Sequence, residues 1–172
     1  MERKGVVTMK GAKVTLEGAE LKIGQKAPDF SVIDGSLKQT GLKDFSGKIL
    51  LISVTPSLDT PVCDRQARKF NEEAAKLNPN IEVLNISMDL PFAAQRFCAS
   101  AGIDKVKTLS DHRDASFGTA YGVLIKELRL LARAIFVIGA DGIIRHVEIV
   151  PEITGSVDFD KALNTAKSLT AK

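Results

Sequence analysis

The sequence predicts an α/β protein in which helices flank a central mixed β-sheet. Segment 49–54 is apolar and rich in β-branched residues apart from Ser53, as expected of a strand that is buried on both faces. A second strand-like segment lies at 81–87, and a helical pattern follows each of the two, which gives the order β-α-β-α. Near the C-terminus, the pair Asp141-Gly142 separates two apolar segments, and this arrangement is typical of a β-hairpin.

The strands are predicted from local alternation and from the turn residues between them. Strand-like segments at 6–9 and 13–16 flank a turn that contains Gly11, which predicts a β-hairpin within residues 1–18. A short strand at 30–33 precedes the turn pair Asp34-Gly35. The further predicted strands are 49–54, 81–87, 106–109, 132–138 and 143–150.

Three helices are predicted, at 61–77, 91–101 and 159–169. In the first and last of them apolar residues recur at three- and four-residue spacing, which gives each an apolar stripe that we expect to pack against the sheet, and the second has Phe92 or Phe97 on its inner side. In the first and last helices the stripe residues are Ala67, Phe70, Ala74, Leu77, Phe159, Leu163 and Ala166.

The composition is that of a globular protein with a substantial core, since 44% of the residues are hydrophobic and 26% are charged. No repeat or linker divides the chain, so we expect one domain over residues 1–172, with residues 1–18 as an N-terminal hairpin extension. The longest apolar run, 49–54, is far shorter than the roughly 20 residues of a membrane helix, so no membrane is expected. The first residues lack the apolar stretch of a secretory signal, which favours a cytoplasmic location.

Binding of nucleic acid or metal is not expected either. The net charge is only +3, the basic residues are scattered, and the chain has one Tyr and no Trp with which to stack on bases. Its two cysteines form no C-x-x-C motif and are too few for a cysteine-based zinc site, while its two histidines lie far apart. We therefore expect no cofactor.

Cys63 lies where a helix is predicted to begin, directly after the buried strand. Asp59 or Thr60 is a good N-cap residue, and Pro61 is favoured in a first helical turn. Unpaired N–H groups and the helix dipole at this position favour a thiolate over a thiol. Because an ordinary thiol is roughly 3% ionised at neutral pH, full ionisation would accelerate its reactions at most about 30-fold. A fast reaction also needs hydrogen-bond donors for the leaving group, such as the Thr60 hydroxyl, the Cys63 N–H and a guanidinium.

Pro56, Thr60 and Cys63 match the pattern P-x-x-x-T/S-x-x-C of the peroxiredoxins. The chain resembles in particular the thiol peroxidase subfamily, the atypical two-cysteine peroxiredoxins. The resemblance covers most of the chain. It includes the N-terminal hairpin and three further segments, 26–30, 110–113 and 131–137. It implies a thioredoxin-like fold and, as is usual in the family, a homodimer.

The resemblance also implies a role for each matching residue. Cys63 would be the peroxidatic cysteine and Cys98 the resolving one, Thr60 and Arg133 would bind and polarise the peroxide, and Pro56 would shield the thiolate. Hydrogen peroxide and alkyl hydroperoxides would be reduced to water and alcohols through a Cys63 sulfenic acid and a Cys63–Cys98 disulfide. Thioredoxin would be the reductant, and the reaction would serve antioxidant defence.

Other interpretations of these residues remain open. On spacing alone, Cys98 would be an ordinary core residue, and Thr60 could serve only as an N-cap. Arg133, at the start of an apolar strand, could instead form a structural ion pair with Glu127 or Glu148. Arg129 is the rival for the catalytic role, and only the match of the Arg133-Ala134 pair to the family decides between them.

The two cysteines are separated by 35 positions and lie on different predicted helices. Because a disulfide needs Cα atoms within about 7 Å, we expect the helix starts to unwind and segment 91–101 to be the mobile part. An exposed Leu58 would be a candidate for the dimer interface. Two other functions stay open, a disulfide oxidoreductase of the thioredoxin type and a peroxide sensor that oxidises a partner. The missing C-x-x-C motif disfavours the former.

Overall fold

The structure, a computed structural model, describes residues 1–170, so that the last two residues of the predicted domain lie outside the described part. The strands are β1 (Glu2–Met9), β2 (Ala12–Glu17), β3 (Ser31–Ile33), β4 (Gln39–Gly41), β5 (Ile49–Val54), β6 (Ile81–Ser87), β7 (Lys107–Ser110), β8 (Leu124–Ile125), β9 (Leu130–Leu131), β10 (Ala134–Ile138) and β11 (Ile144–Ile149). The α-helices are α1 (Pro61–Ala74), α2 (Pro91–Ala101), α3 (Ser116–Ala120) and α4 (Phe159–Ser168), and a 3-10 turn spans Leu42–Phe45.

A seven-stranded mixed sheet forms the centre, with the strand order β11-β10-β5-β6-β7-β3-β4. Strands β5, β6 and β7 are parallel, and the other neighbours in this sheet are antiparallel. All six residues of β5 are buried, as their continuous apolar pattern predicts. The predicted fold class, a thioredoxin-like mixed sheet flanked by helices, is therefore confirmed.

The sheet separates two hydrophobic cores. Along β5 and β10, alternate side chains enter one core or the other, because successive residues of a strand point to opposite faces. Helices α1, α2 and α4 cover one face. The other face packs against α3 and against a smaller sheet of order β1-β2-β8-β9. Ser53 of β5 pairs with Ile135 of β10, whose side chain belongs to the helix-covered core.

Several short elements were not predicted. Strand β4, helix α3 and the pair β8-β9 have two to five residues each, too few to show a period in the sequence. The first helix ends at Ala74 rather than at Leu77. Leu58, expected to be exposed, is only 2% exposed, so that expectation was wrong. It packs in the helix-side core, and its backbone N–H donates to the Asp89 carboxylate at 2.8 Å.

No helix within residues 1–170 is long and apolar enough to cross a membrane.

Candidate active site

Cys63 occupies the third position of α1, just beyond the carboxyl end of β5. The helix begins at Pro61 with Thr60 at the N-cap, and the Asp64 N–H donates to the Thr60 carbonyl at 2.9 Å. The N–H groups of the preceding positions point out of the helix start, because no carbonyl lies one turn before them. The Cys63 side chain itself is fully buried. This is the helix-start position that the sequence predicts.

Arg133 supplies the cation of the site. It directly precedes β10, and its side chain is only 2% exposed. The guanidinium donates from Nε to the Ile153 carbonyl at 2.8 Å, from Nη1 to Gln66 Oε1 at 2.7 Å, and from Nη2 to Cys63 Sγ at 3.1 Å. A buried positive charge at this distance stabilises negative charge on the sulfur. The planar guanidinium is held in place by its hydrogen bonds, so the position of the positive charge is fixed.

The ion-pair interpretation of Arg133 is wrong. Within residues 1–170 the guanidinium contacts no carboxylate, since its donors end on two neutral oxygens and on sulfur. The carboxylates of Glu127 and Glu148 accept backbone N–H groups elsewhere. Arg129, the rival for the catalytic role, is exposed to solvent. The charge of Arg133 is therefore free to act on the Cys63 sulfur and on whatever binds beside it.

Gln66 and Ser53, neither of which was predicted as a site residue, complete the support of this arginine. Gln66 is buried on α1 and donates from Nε2 to Ser53 Oγ at 2.7 Å, which orients its amide oxygen toward Arg133. The sequence does carry a signal for it. Gln66 follows Cys63 by three positions and so shares the buried helix face, where an amide needs a polar partner.

Thr60 and Pro56 lie in the loop that connects β5 to α1. The Thr60 hydroxyl donates to the Ser57 carbonyl at 3.1 Å and makes no capping hydrogen bond to the helix, although Thr60 holds the N-cap position. Its side chain is partly buried. Pro56 is buried immediately after the strand.

Cys98 lies on α2, in a different environment from Cys63. Its side chain is half-buried, and its sulfur lies 3.8 Å from the hydroxyl oxygen of Thr108 on β7. Burial raises the pKa of the Cys98 thiol above its ordinary value, and the contact with Thr108 acts in the opposite direction. Both cysteines are free thiols, so the structure represents the reduced arrangement.

Comparison with known proteins agrees with this geometry. The Redoxin family model matches residues 22–165. The chain is 57% identical to a thiol peroxidase of Halalkalibacterium halodurans and 55% identical to one of Bacillus subtilis; the alignments cover 94% and 95% of this chain, and 97% of each relative. The chain belongs to the thiol peroxidases of the Redoxin family. Among solved structures, a peroxiredoxin-like protein from Aquifex aeolicus superimposes with a TM-score of 0.89 at 41% identity, over 97% of both chains.

The family resemblance noted in the sequence is thereby confirmed. Identity above 50% over nearly the whole of each relative means that the sheet, the helices and the loop before Cys63 belong to one shared architecture. The role of each site residue is a separate question, which rests on the contacts described above.

Proposed function

We propose that this chain is a thiol-dependent peroxidase, an oxidoreductase of antioxidant defence, that reduces hydrogen peroxide and alkyl hydroperoxides with Cys63. Membership of the thiol peroxidases supports the activity. The observation that carries the assignment of Cys63 is its hydrogen bond of 3.1 Å from Arg133 at the start of a helix. Within residues 1–170, the Cys63 thiol has both a helix start and a contact with a cation, whereas the Cys98 thiol lies inside a helix and faces a neutral hydroxyl.

In the first step, the Cys63 thiolate attacks the terminal oxygen of the hydroperoxide. The S–O bond forms as the O–O bond breaks, and the departing hydroxide or alkoxide takes up the proton that the thiol released on ionisation and leaves as water or an alcohol. Arg133 and the Cys63 N–H lie where they can stabilise the negative charge on that oxygen. The Thr60 hydroxyl now donates to the Ser57 carbonyl, and it becomes a further donor to the peroxide once it releases that carbonyl. Pro56, buried in the same loop, excludes water from the thiolate.

In the second step, the Cys98 sulfur attacks the Cys63 sulfenic acid. The S–S bond forms, the S–O bond breaks, and the oxygen leaves as water. The two sulfurs now contact Arg133 and Thr108 respectively and lie on different helices, and we infer that at least one of them leaves its present partner for closure. A dithiol reductant then restores both thiols, and the family resemblance points to thioredoxin.

The experiment mixes reduced protein with one equivalent of hydrogen peroxide and follows free thiols by rapid quench, with peptide mapping of the product. We expect both thiols to disappear into an intramolecular Cys63–Cys98 disulfide within seconds. The Cys98→Ser variant should stop at the Cys63 sulfenic acid, which a dimedone adduct would identify. If Cys63 reacts no faster than a free thiol in solution, the assignment fails.

We infer further that the protein is a cytoplasmic homodimer. The family resemblance supports dimerisation, and Leu90 and Phe92, which are 53% and 64% exposed, offer an apolar contact surface at the start of α2. The catalytic cycle must reduce the disulfide back to two free thiols, and this requirement supports a location in a reducing compartment. Sedimentation at micromolar concentration tests the dimer, and cell fractionation tests the location.

We also propose that residues 1–172 form a single domain with residues 1–18 as its hairpin extension. Two hydrogen bonds that tie the hairpin to the rest of the chain support this. The Thr8 N–H donates to the Pro151 carbonyl at 2.7 Å, and the Lys126 N–H donates to the Thr15 carbonyl at 2.9 Å. A single cooperative unfolding transition in calorimetry is the expected result.

A further inference from the structure

Asp89 connects the loop before Cys63 to the end of strand β6. Its Oδ1 accepts a hydrogen bond from the Ser57 hydroxyl at 2.8 Å. Its Oδ2 accepts from the Leu58 N–H at 2.8 Å and from the Ser87 hydroxyl at 2.8 Å. Hydrogen bonds to a carboxylate are stronger than those between neutral groups. One partly buried side chain therefore holds the Cys63 loop at two consecutive residues.

The backbone of Asp89 is joined to the other two elements at this edge of the sheet. Its carbonyl accepts from the Ser110 hydroxyl, at the end of β7, at 2.5 Å. The next residue, Leu90, is the N-cap of α2, and its carbonyl accepts the Ala94 N–H at 3.0 Å. Asp89 thus lies directly between the Cys63 loop and the helix that carries Cys98.

The opposite end of α2 is also attached to the Cys63 helix. Arg68 of α1 donates to the Ala101 carbonyl at 3.2 Å, and the Asn71 side-chain oxygen accepts the N–H groups of two residues just beyond α2. The Cys98 helix is consequently held to the Cys63 elements at both ends. At the end nearest the active site, Asp89 makes the connection.

We propose that Asp89 is a positioning residue that holds the Cys63 loop and the start of the Cys98 helix in the arrangement that reacts with peroxide, and that its release permits disulfide closure. The proposal rests on the proposed function, because it concerns the two steps of that reaction. While Asp89 is bound to Ser57 and Leu58, the loop keeps Cys63 against Arg133, and such preorganisation favours the first step. The same contacts oppose the rearrangement that the second step requires.

The test measures the two steps separately in Asp89→Ala and Asp89→Asn. Rapid quench gives the rate of Cys63 oxidation and the rate of disulfide closure, and an excess of hydrogen peroxide gives the fraction of Cys63 that is oxidised further to sulfinic acid. Asp59→Ala and Asp59→Asn are the matched controls. Asp59 is exposed on the same loop, and within residues 1–170 its carboxylate accepts no hydrogen bond.

Asp89→Ala loses all three hydrogen bonds of the carboxylate. We expect Cys63 oxidation to slow by about tenfold and closure to accelerate by a similar factor, which corresponds to the effect of one charge-assisted hydrogen bond on each barrier. Because closure then outruns a second oxidation, less sulfinic acid should form. Asp89→Asn retains an acceptor oxygen without the charge. Its rates of Cys63 oxidation and of disulfide closure should therefore lie between those of Asp89→Ala and those of the wild type. Both Asp59 variants should match the wild type.

If Asp89 only stabilised the fold, the rates of Cys63 oxidation and of disulfide closure would both fall in Asp89→Ala, together with the midpoint of thermal unfolding. That result, or rates unchanged from the Asp59 controls, would overturn the proposal. If Asp89→Ala does not fold, Asp89→Asn carries the same test, since it has the same shape. Wild-type protein in which Cys63 stays reduced under peroxide would instead refute the proposed function itself.

Discussion

Cys63 and Cys98 lie on neighbouring helices over the same face of the sheet, but their surroundings differ in kind. Cys63 is fully buried at the start of α1, with the Arg133 guanidinium 3.1 Å from its sulfur. Cys98 is half-buried in the interior of α2, and its sulfur is 3.8 Å from the neutral Thr108 hydroxyl. Burial without a cation raises the pKa of the Cys98 thiol.

This difference separates the two tasks that a disulfide-forming peroxidase must perform. The sulfur that attacks first needs charge stabilisation in place before the peroxide arrives, and a buried cation provides it without reorganisation. The sulfur that attacks second should stay unreactive until the sulfenic acid has formed. A buried thiol with no cation beside it meets this need, because it stays protonated. Burial alone therefore does not mark the reactive cysteine, because the more buried of the two is the one beside the charge.

The largest effect is expected from exchanging sulfur for oxygen at each position in turn. Cys63→Ser should abolish peroxide turnover, because a serine hydroxyl is a far weaker nucleophile than a thiolate. Cys98→Ser should keep the first oxidation at the wild-type rate and stop cycling with a dithiol reductant. Peroxide consumption coupled to reductant oxidation measures both. Turnover that survives in Cys63→Ser would remove the distinction between the two cysteines.

The second-largest effect is expected from Arg133→Lys. Lysine keeps the charge but presents a single nitrogen, which cannot reach Ile153, Gln66 and Cys63 at once. We expect the second-order rate of Cys63 oxidation to fall by about 10²–10³, the usual effect of removing one donor from such a site.

Stopped-flow measurement of peroxide consumption gives this rate, and thermal unfolding shows whether the variant is folded. Arg129→Lys is the matched control, since it makes the same exchange at an exposed arginine and should leave the rate unchanged. An equal loss in both variants would mean that the contact with Cys63 has no special role.

The parts of the fold that could be predicted from the sequence are those with a local cause. The buried strand β5, the starts of α1 and α2 at prolines, and the hairpin around Asp141-Gly142 all follow from periodicity and turn chemistry. The β8-β9 pair has no such cause. Its two-residue strands exist because β8 pairs with Leu16 and Glu17 of β2, more than 100 positions earlier in the chain. Long-range pairing of this kind leaves no period in the local sequence.

The features of the site also divide into those with a local cause in the sequence and those without one. The position of Cys63 follows from Thr60 and Pro61, whereas the choice of Arg133 over Arg129 needed the family resemblance. The partners of Asp89 lie up to 32 positions away in sequence, and no local rule places them together. Such contacts depend on three parallel strands ending at one sheet edge, which only the assembled sheet brings about.

The pH dependence of disulfide closure tests the environment of Cys98. Because the pKa of Cys98 is raised, its thiolate is scarce at neutral pH, and its fraction grows as the pH approaches that pKa. The thiolate is the attacking species, so closure should accelerate about tenfold per pH unit between about pH 7 and the ordinary thiol value of about 8.5. Rapid quench of the sulfenic acid measures the rate. A rate that does not change with pH would show that ionisation of Cys98 does not control closure.

The smallest effect is expected from Thr108→Val, which removes the hydroxyl beside Cys98 and keeps the side-chain volume. We expect closure to move at least one sulfur away from its partner, and movement of Cys98 would break its weak contact with Thr108. A contact between a thiol and an oxygen contributes about 0.5 kcal/mol, so closure should accelerate about twofold at fixed pH. Thr119→Val, at an exposed threonine of α3, should leave the rate unchanged. Slower closure in Thr108→Val would mean that the hydroxyl assists the attack by lowering the pKa of Cys98, and that Cys98 keeps this contact while Cys63 moves toward it.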